Sequence, residues 1–122
     1  MKAVTFSTSG SAEELNIQDV PTPSIAETEV LINVAATALN RADTMQRKGM
    51  YPPPPGASDI LGLEAAGRVV ACGAKVTQLT EGDEVMALLP GGGYAEFVAI
   101  DEGLVMPIPR GIKLKEAAAI PE

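Results

Sequence analysis

The sequence predicts a small, mainly β protein, an antiparallel β-barrel or sandwich with one short internal helix. Three observations carry this prediction. About seven or eight short strand-like segments are separated by clusters of Gly, Pro, Ser and Asp, the punctuation of an all-β chain. A helix signal with both a start and a stop occurs once inside the chain, over Arg41–Lys48. A chain of 122 residues can bury about 65% of its unfolded surface in one core, and with 46% apolar but only 3% aromatic residues that core is aliphatic.

Each element has its own local reason. Lys2–Phe6 is β-prone and ends in a Ser/Gly turn over Ser7–Ala12. Leu15–Val20 is a second strand, stopped by Pro21 and Pro23, and the two make a natural antiparallel pair. Glu29–Leu39 is the longest β-like run. Val30, Ile32 and Val34 fall on one face, Leu31 and Asn33 on the other. It feeds into Asn40, a favoured N-cap. Asp43 sits at the third helical position, near the positive end of the helix dipole. Arg41–Lys48 then makes about two turns, and Gly49 supplies the left-handed stop. Met50 and Tyr51 lead into Pro52–Pro55, a stiff extended segment without backbone donors.

The second half continues the β pattern. From Glu64 the run EAAGRVVACG is a strand with a bulge or close backbone approach at Gly67. Val76–Leu79 is a short exposed piece, Glu81–Asp83 a turn, and Glu84–Leu89 a strand. Pro90–Gly93 is a loop tip. Tyr94–Ile100 alternates with period two as a strand, and Leu104–Ile108 is a last short strand interrupted by Pro107. Leu114–Ile120 is helical in propensity, but Ala117–Ala119 are too small to anchor a core alone. This predicts an exposed last helix, open to self-association.

Composition removes several function classes. The net charge is −7 with no basic run, which argues against nucleic acid and against an anionic membrane surface. No apolar stretch approaches the roughly 20 residues that span a bilayer, and the N-terminus lacks a signal-peptide core. The single cysteine, Cys72, rules out a disulfide within the chain, which fits a reducing, cytoplasmic setting. With no histidine, His-based triads and almost every zinc site are gone, so no metal is expected.

Individual residues also have plain structural readings. Asn40 and Asp43 suit a helix cap, and a capped helix end is also a rigid platform for a ligand. Tyr51 suits a surface aromatic stacked on proline, Glu64 a polar residue at a strand start, and Arg41 a solvated helix residue. Gly62 and Gly67 suit backbone geometry.

Five motifs occur in order: ALNRAD from Ala38, MYPPPPGASDILGLEAAGRVV from Met50, EGDEVMALLPGGGYAEFV from Glu81, GLVMPIP from Gly103 and EAAAIPE from Glu116. Together they resemble the medium-chain dehydrogenase/reductase superfamily. Within it they resemble the zinc-free quinone oxidoreductase branch, its p53-inducible members most of all. The resemblance implies a GroES-like, partly open antiparallel β-barrel with short helices. Residues 1–122 would be the substrate-side, catalytic domain, and 113–122 the start of the connection to a Rossmann domain that this sequence lacks. It implies hydride transfer from nicotinamide C4 of NADPH to quinones or activated conjugated carbonyls, in an enzyme that is a homodimer at full length.

The resemblance also assigns roles. Asn40 stands where zinc-dependent relatives carry a catalytic-zinc cysteine, and its amide would contact nicotinamide or substrate. Leu63 stands where they carry a zinc histidine, and would line the pocket. Tyr51 would line the cleft beside the nicotinamide, as a catalytic and cofactor-binding residue. Asp43 would share in cofactor binding, and Glu64 would lie near the catalytic centre. NADPH would be held mainly by the absent domain, so these 122 residues alone are expected to bind it weakly and to turn over negligibly. Gly91–Gly93 precedes a strand-like run and opens no helix, so it is a loop and not a dinucleotide fingerprint. Two rival readings stand beside this one: a non-catalytic GroES-like binding module, and an enoyl reductase of the same superfamily.

Overall fold

The computed structural model describes all residues from Met1 to Glu122. The chain order is β1 (Lys2–Thr5), β2 (Asn16–Asp19), β3 (Glu29–Ala36), α1 (Arg41–Arg47), β4 (Glu64–Cys72), β5 (Glu84–Leu88), β6 (Phe97–Asp101), β7 (Val105–Pro107) and α2 (Leu114–Ala117). Single 3-10 turns stand at Ala12–Glu14 and Glu102–Leu104. The first two strands form an antiparallel ribbon, with Lys2 opposite Asp19 and Thr5 opposite Asn16. The other strands form one five-stranded antiparallel sheet in the order β6–β3–β4–β5–β7.

Two irregularities curl this sheet along the β3–β4 pair. One leaves Val70 unpaired between Ala71 and Val69, and the other leaves Ala35 unpaired between Val34 and Ala36. Extra residues of this kind raise the local twist and bend the strand. Gly67 lies opposite Val34 beside the second irregularity. A Cβ on it would stand 2.0 Å from the Asn33 carbonyl oxygen, so the close approach expected there is real.

Alternation then sorts the apolar side chains onto two faces. Val30, Ile32, Ala65, Val69, Val85, Ala87, Leu89, Val98 and Ile100 make the main core. On the opposite face Ala66 and Met86 pack with Ala117 and Ala118 of the α2 segment. The ribbon closes part of the curled sheet. The Val4 N–H donates to the Tyr94 carbonyl (2.8 Å), the Glu96 N–H donates to the Lys2 carbonyl (3.0 Å), and Ala3 bridges to Ala95. This is the partly open antiparallel barrel with short helices that the sequence predicts.

Two expectations are corrected. The last helix is a single turn, Leu114–Ala117, and it does not stand exposed: Ala117 and Ala118 are fully buried. Small side chains let that turn lie close on Ala66 and Met86, where a larger residue would hold it off. The strand expected from Tyr94 begins only at Phe97. Tyr94 instead bonds the ribbon through its carbonyl and Leu61 through its N–H, while Glu96 is shared, its N–H donating to Lys2 of the ribbon and its carbonyl accepting from Val34 of β3.

Candidate active site

The site is built where the start of α1, the start of β4 and the loop before β6 meet. Asn40 has extended backbone angles (φ −120°, ψ 154°) and α1 begins at the next residue, as its N-cap character predicts. The Asp43 N–H donates to the Asn40 carbonyl (3.1 Å), and the Asn40 N–H donates back to Asp43 Oδ2 (2.8 Å). Asp43 is therefore more than a favourable charge in the first turn. It is 4% exposed and accepts two further bonds, from the Tyr94 hydroxyl to Oδ2 (2.6 Å) and from the Gly62 N–H to Oδ1 (3.3 Å).

Glu64, the first residue of β4, is 2% exposed. Its Oε1 accepts from Asn40 Nδ2 (2.9 Å) and its Oε2 from the Glu122 N–H (2.9 Å). Its backbone carbonyl accepts from the Thr37 hydroxyl (2.6 Å). No cation neutralises either carboxylate, since the ion pairs are Lys2–Asp19, Arg68–Glu84 and Lys75–Glu27, all elsewhere. Aimed donors take the place of a counter-ion: three on Asp43 and two on Glu64.

The loop geometry that delivers Tyr94 depends on glycine. Segment 60–63 lies against 89–94 through four backbone bonds: Leu89 N–H to Leu63 (2.7 Å), Gly92 N–H to Ile60 (2.7 Å), Gly93 N–H to Gly62 (3.0 Å) and Tyr94 N–H to Leu61 (2.8 Å). Gly62 has φ +105°, and a Cβ on it would stand 2.6 Å from both Gly93 Cα and Tyr94 N. The Gly91–Gly93 run thus serves a close chain crossing, in keeping with the loop read from the sequence. Burial, with the Asp43 carboxylate next to it, pushes the Tyr94 phenol well above its ordinary range, so it stays a donor.

Of the residues singled out in the sequence, Asn40, Asp43 and Glu64 form one hydrogen-bonded cluster. Leu63 is buried beside it, 7% exposed. Tyr51 stands apart, past the far end of α1, a seven-residue helix about 10 Å long. It is 47% exposed and borders a hollow of about 330 Å³ with Gln46, Phe6, Pro53 and Asp59. Gln46 is buried there, and its Oε1 has no hydrogen-bond partner. The two larger hollows, about 440 and 470 Å³, border Phe97–Ile100 and the group Leu79, Asp83, Val85 and Glu102, and include none of the cluster. The sequence reading missed Tyr94, Thr37 and the part of Gly62 as a donor. Their partners lie 51, 27 and 19 positions away, so no local pattern marks them.

Comparison with known proteins bears on the family and the fold. Residues 26–110 match the alcohol dehydrogenase GroES-like domain. A quinone oxidoreductase of Pseudomonas aeruginosa is 37% identical over 120 residues, covering 98% of this chain and 37% of the relative. The 2-methylene-furan-3-one reductase of Solanum lycopersicum is 37% identical over 136 residues, covering 99% of this chain and 34% of the relative. The crystal structure of Escherichia coli quinone oxidoreductase with NADPH superimposes with a TM-score of 0.89 at 30% identity, over 98% of this chain and 37% of that one. The chain thus spans about a third of the length of the curated relatives it matches. On the family match over most of its length and the agreement in fold, this chain belongs to the alcohol dehydrogenase GroES-like domain family of the medium-chain dehydrogenase/reductase superfamily, among relatives that are quinone oxidoreductases.

Proposed function

We propose that this chain is the substrate-side unit of an NADPH-dependent oxidoreductase that reduces quinones or activated conjugated carbonyls without zinc. The observation that carries the reading is the Asn40 amide, held by the buried carboxylate of Glu64 at the mouth of α1. Its support from relatives is that one is a quinone oxidoreductase, one a 2-methylene-furan-3-one reductase, and one a quinone oxidoreductase in complex with NADPH.

Bound NADPH supplies the hydride, and the chain's own residues bind, orient and exclude water. Asn40 is the group that meets the nicotinamide or the acceptor. Asp43 contributes to cofactor binding through Asn40, because its carboxylate is turned inward onto Asn40, Tyr94 and Gly62. Glu64 fixes the amide's direction: both its carboxyl oxygens accept, Oε1 from Asn40 Nδ2 and Oε2 from the Glu122 N–H, so the amide presents Nδ2 to it and not Oδ1. Leu63 keeps the adjoining wall apolar. Tyr51 is read as a catalytic and cofactor-facing residue on the resemblance of its motif, although it borders a separate hollow beyond the other end of α1.

Zinc independence is supported by the donor set. The chain has no histidine, and no group of three or more Cys, Asp or Glu residues is placed to hold a metal. Its one cysteine ends β4, the strand that Glu64 begins. No helix is long and apolar enough to cross a membrane. The full-length enzyme is read as a homodimer, on the resemblance of its motifs.

Steady-state oxidation of NADPH by the full-length protein, with benzoquinone as acceptor, tests the reading. Turnover is expected, and N40A is expected to lower kcat/KM at least tenfold, the scale of one lost oriented hydrogen bond of about 1.4 kcal/mol. Turnover unaffected by N40A would overturn the role of Asn40. No turnover with quinones or conjugated enones would overturn the activity.

A further inference from the structure

We propose that Tyr94 is a positioning residue for Asn40: its hydroxyl holds the Asp43 carboxylate, which in turn holds the Asn40 backbone from which the amide faces the ligand. This deepens the reading above and rests on Asn40 as the ligand-facing group. Three observations lead to it. Asp43 Oδ2 accepts both the Tyr94 hydroxyl (2.6 Å) and the Asn40 N–H (2.8 Å), so one atom joins the two residues. The crossing that brings Tyr94 there requires glycine, because a Cβ on Gly62 would stand 2.7 Å from Tyr94 Cδ1. Finally, the Tyr94 backbone is held independently of its hydroxyl, by the Leu61 carbonyl on its N–H (2.8 Å) and by the Val4 N–H on its carbonyl (2.8 Å).

The last point separates this role from that of a structural tyrosine. Deleting the hydroxyl leaves the ring, the loop bonds and the sheet in place. What it removes is one of two donors on a buried carboxylate oxygen. The carboxylate is then free to turn toward Gly62 or to take a water, and the bond that fixes the Asn40 N–H loosens with it. The Asn40 amide keeps Glu64 but loses the fixed backbone behind it.

A double-mutant cycle on the full-length protein tests this, with NADPH and benzoquinone as substrates and thermal unfolding recorded for each variant. Y94F is expected to lower kcat/KM about tenfold in the wild-type background and less than about twofold in the N40A background, since about 1.4 kcal/mol of positioning passes through Asn40. Equal losses in both backgrounds mean a general structural role and overturn the proposal, as does wild-type turnover by Y94F. If N40A alone leaves turnover unchanged, the reading of Asn40 fails and takes this proposal with it, an outcome that the single variant identifies by itself. A second readout needs no deletion. Placing 3-fluorotyrosine at position 94 keeps the ring and strengthens the donor, and is expected to shift the Asn40 side-chain amide resonances in ¹⁵N spectra. Unshifted resonances would overturn the coupling.

Discussion

Replacing Asp43 tests whether the cluster is a support of the fold as well as of the site. Asp43→Ala removes three accepted bonds at once, from the Tyr94 hydroxyl (2.6 Å), the Asn40 N–H (2.8 Å) and the Gly62 N–H (3.3 Å). The first two are short and involve a carboxylate, a class that contributes about 1.5–3 kcal/mol each. The third is long and adds little, but its donor is buried and gains no replacement. The expected loss is about 3–5 kcal/mol, a large share of the 5–15 kcal/mol that holds an ordinary domain. Asp43→Asn is the informative control. Its remaining oxygen can keep the Tyr94 and Asn40 donors while its NH₂ faces the Gly62 N–H, donor against donor. That swap is expected to cost about 1–2 kcal/mol. Urea unfolding of the three proteins at neutral pH, followed by circular dichroism with m held in common, measures both numbers. The reasoning is refuted if the alanine variant lies within about 1 kcal/mol of wild type, or if both variants cost the same.

Three further outcomes follow from the same structure. Gly67→Ala places a Cβ 2.0 Å from the Asn33 oxygen and 2.8 Å from Ile32 Cγ2, so it must part β3 from β4; a loss of about 3 kcal/mol or more in urea unfolding is expected, and a neutral result would mean that the strands are farther apart. Glu64→Gln offers one oxygen to two donors, Asn40 Nδ2 and the Glu122 N–H, and should cost about 1–2 kcal/mol while moving the Asn40 amide resonances; unmoved resonances would break the link between the two side chains. The Tyr94 phenol is raised in the folded state from its ordinary 10.0, foremost by burial and then by Asp43, so above pH 10.0 the unfolded chain has lost a proton that the folded chain keeps. Stability from this source is complete below that pH and falls as pH rises through it. The slope is at most about 1.4 kcal/mol per pH unit, less what solvent screening removes from a part-exposed ring. Y94F should flatten that alkaline limb, and identical limbs would refute the assignment.

How much of this was legible in the sequence depended on the distance between partners. The β1–β2 ribbon, β3, the Asn40 start of α1 and the crowding at Gly67 follow from alternation, capping and punctuation, which act within a few residues. The true start of β6 did not, because Tyr94 and Glu96 alternate as well as their neighbours, but Tyr94 bonds the ribbon and Leu61, and Glu96 is divided between Lys2 of the ribbon and Val34 of β3. The buried last turn did not either, since helical propensity says nothing of the Ala66–Met86 face that it meets. In the site, Asp43 looked like a favourable first-turn charge, and it is one. Its bonds to Gly62 and Tyr94 span 19 and 51 positions and leave no trace in either local pattern.

The same long spans explain why the cluster is polar at all. Asn40, Glu64 and Tyr94 belong to three segments whose apolar residues serve the sheet core, and nothing in that core fixes the direction of an amide at its rim. A hydrophobic contact is non-directional, whereas a carboxylate with aimed donors admits few arrangements. Burying two uncompensated carboxylates is costly in itself. The donors recover part of that cost, and they do so only while all three segments are docked. Orientation at Asn40 is therefore coupled to closure of the 60–63 and 89–94 crossing. Loosening the crossing should disorder the amide before it unfolds the sheet, because eight of the nine core residues lie outside it and Leu89 alone belongs to both. Gly62→Ala, which forces a Cβ to 2.6 Å from Gly93 Cα, isolates this order of events: hydrogen exchange should rise first at Leu61–Glu64 and Leu89–Tyr94 while Val30, Ile32 and Val69 stay protected. Loss of protection in both regions together would show that the rim and the core are one cooperative unit.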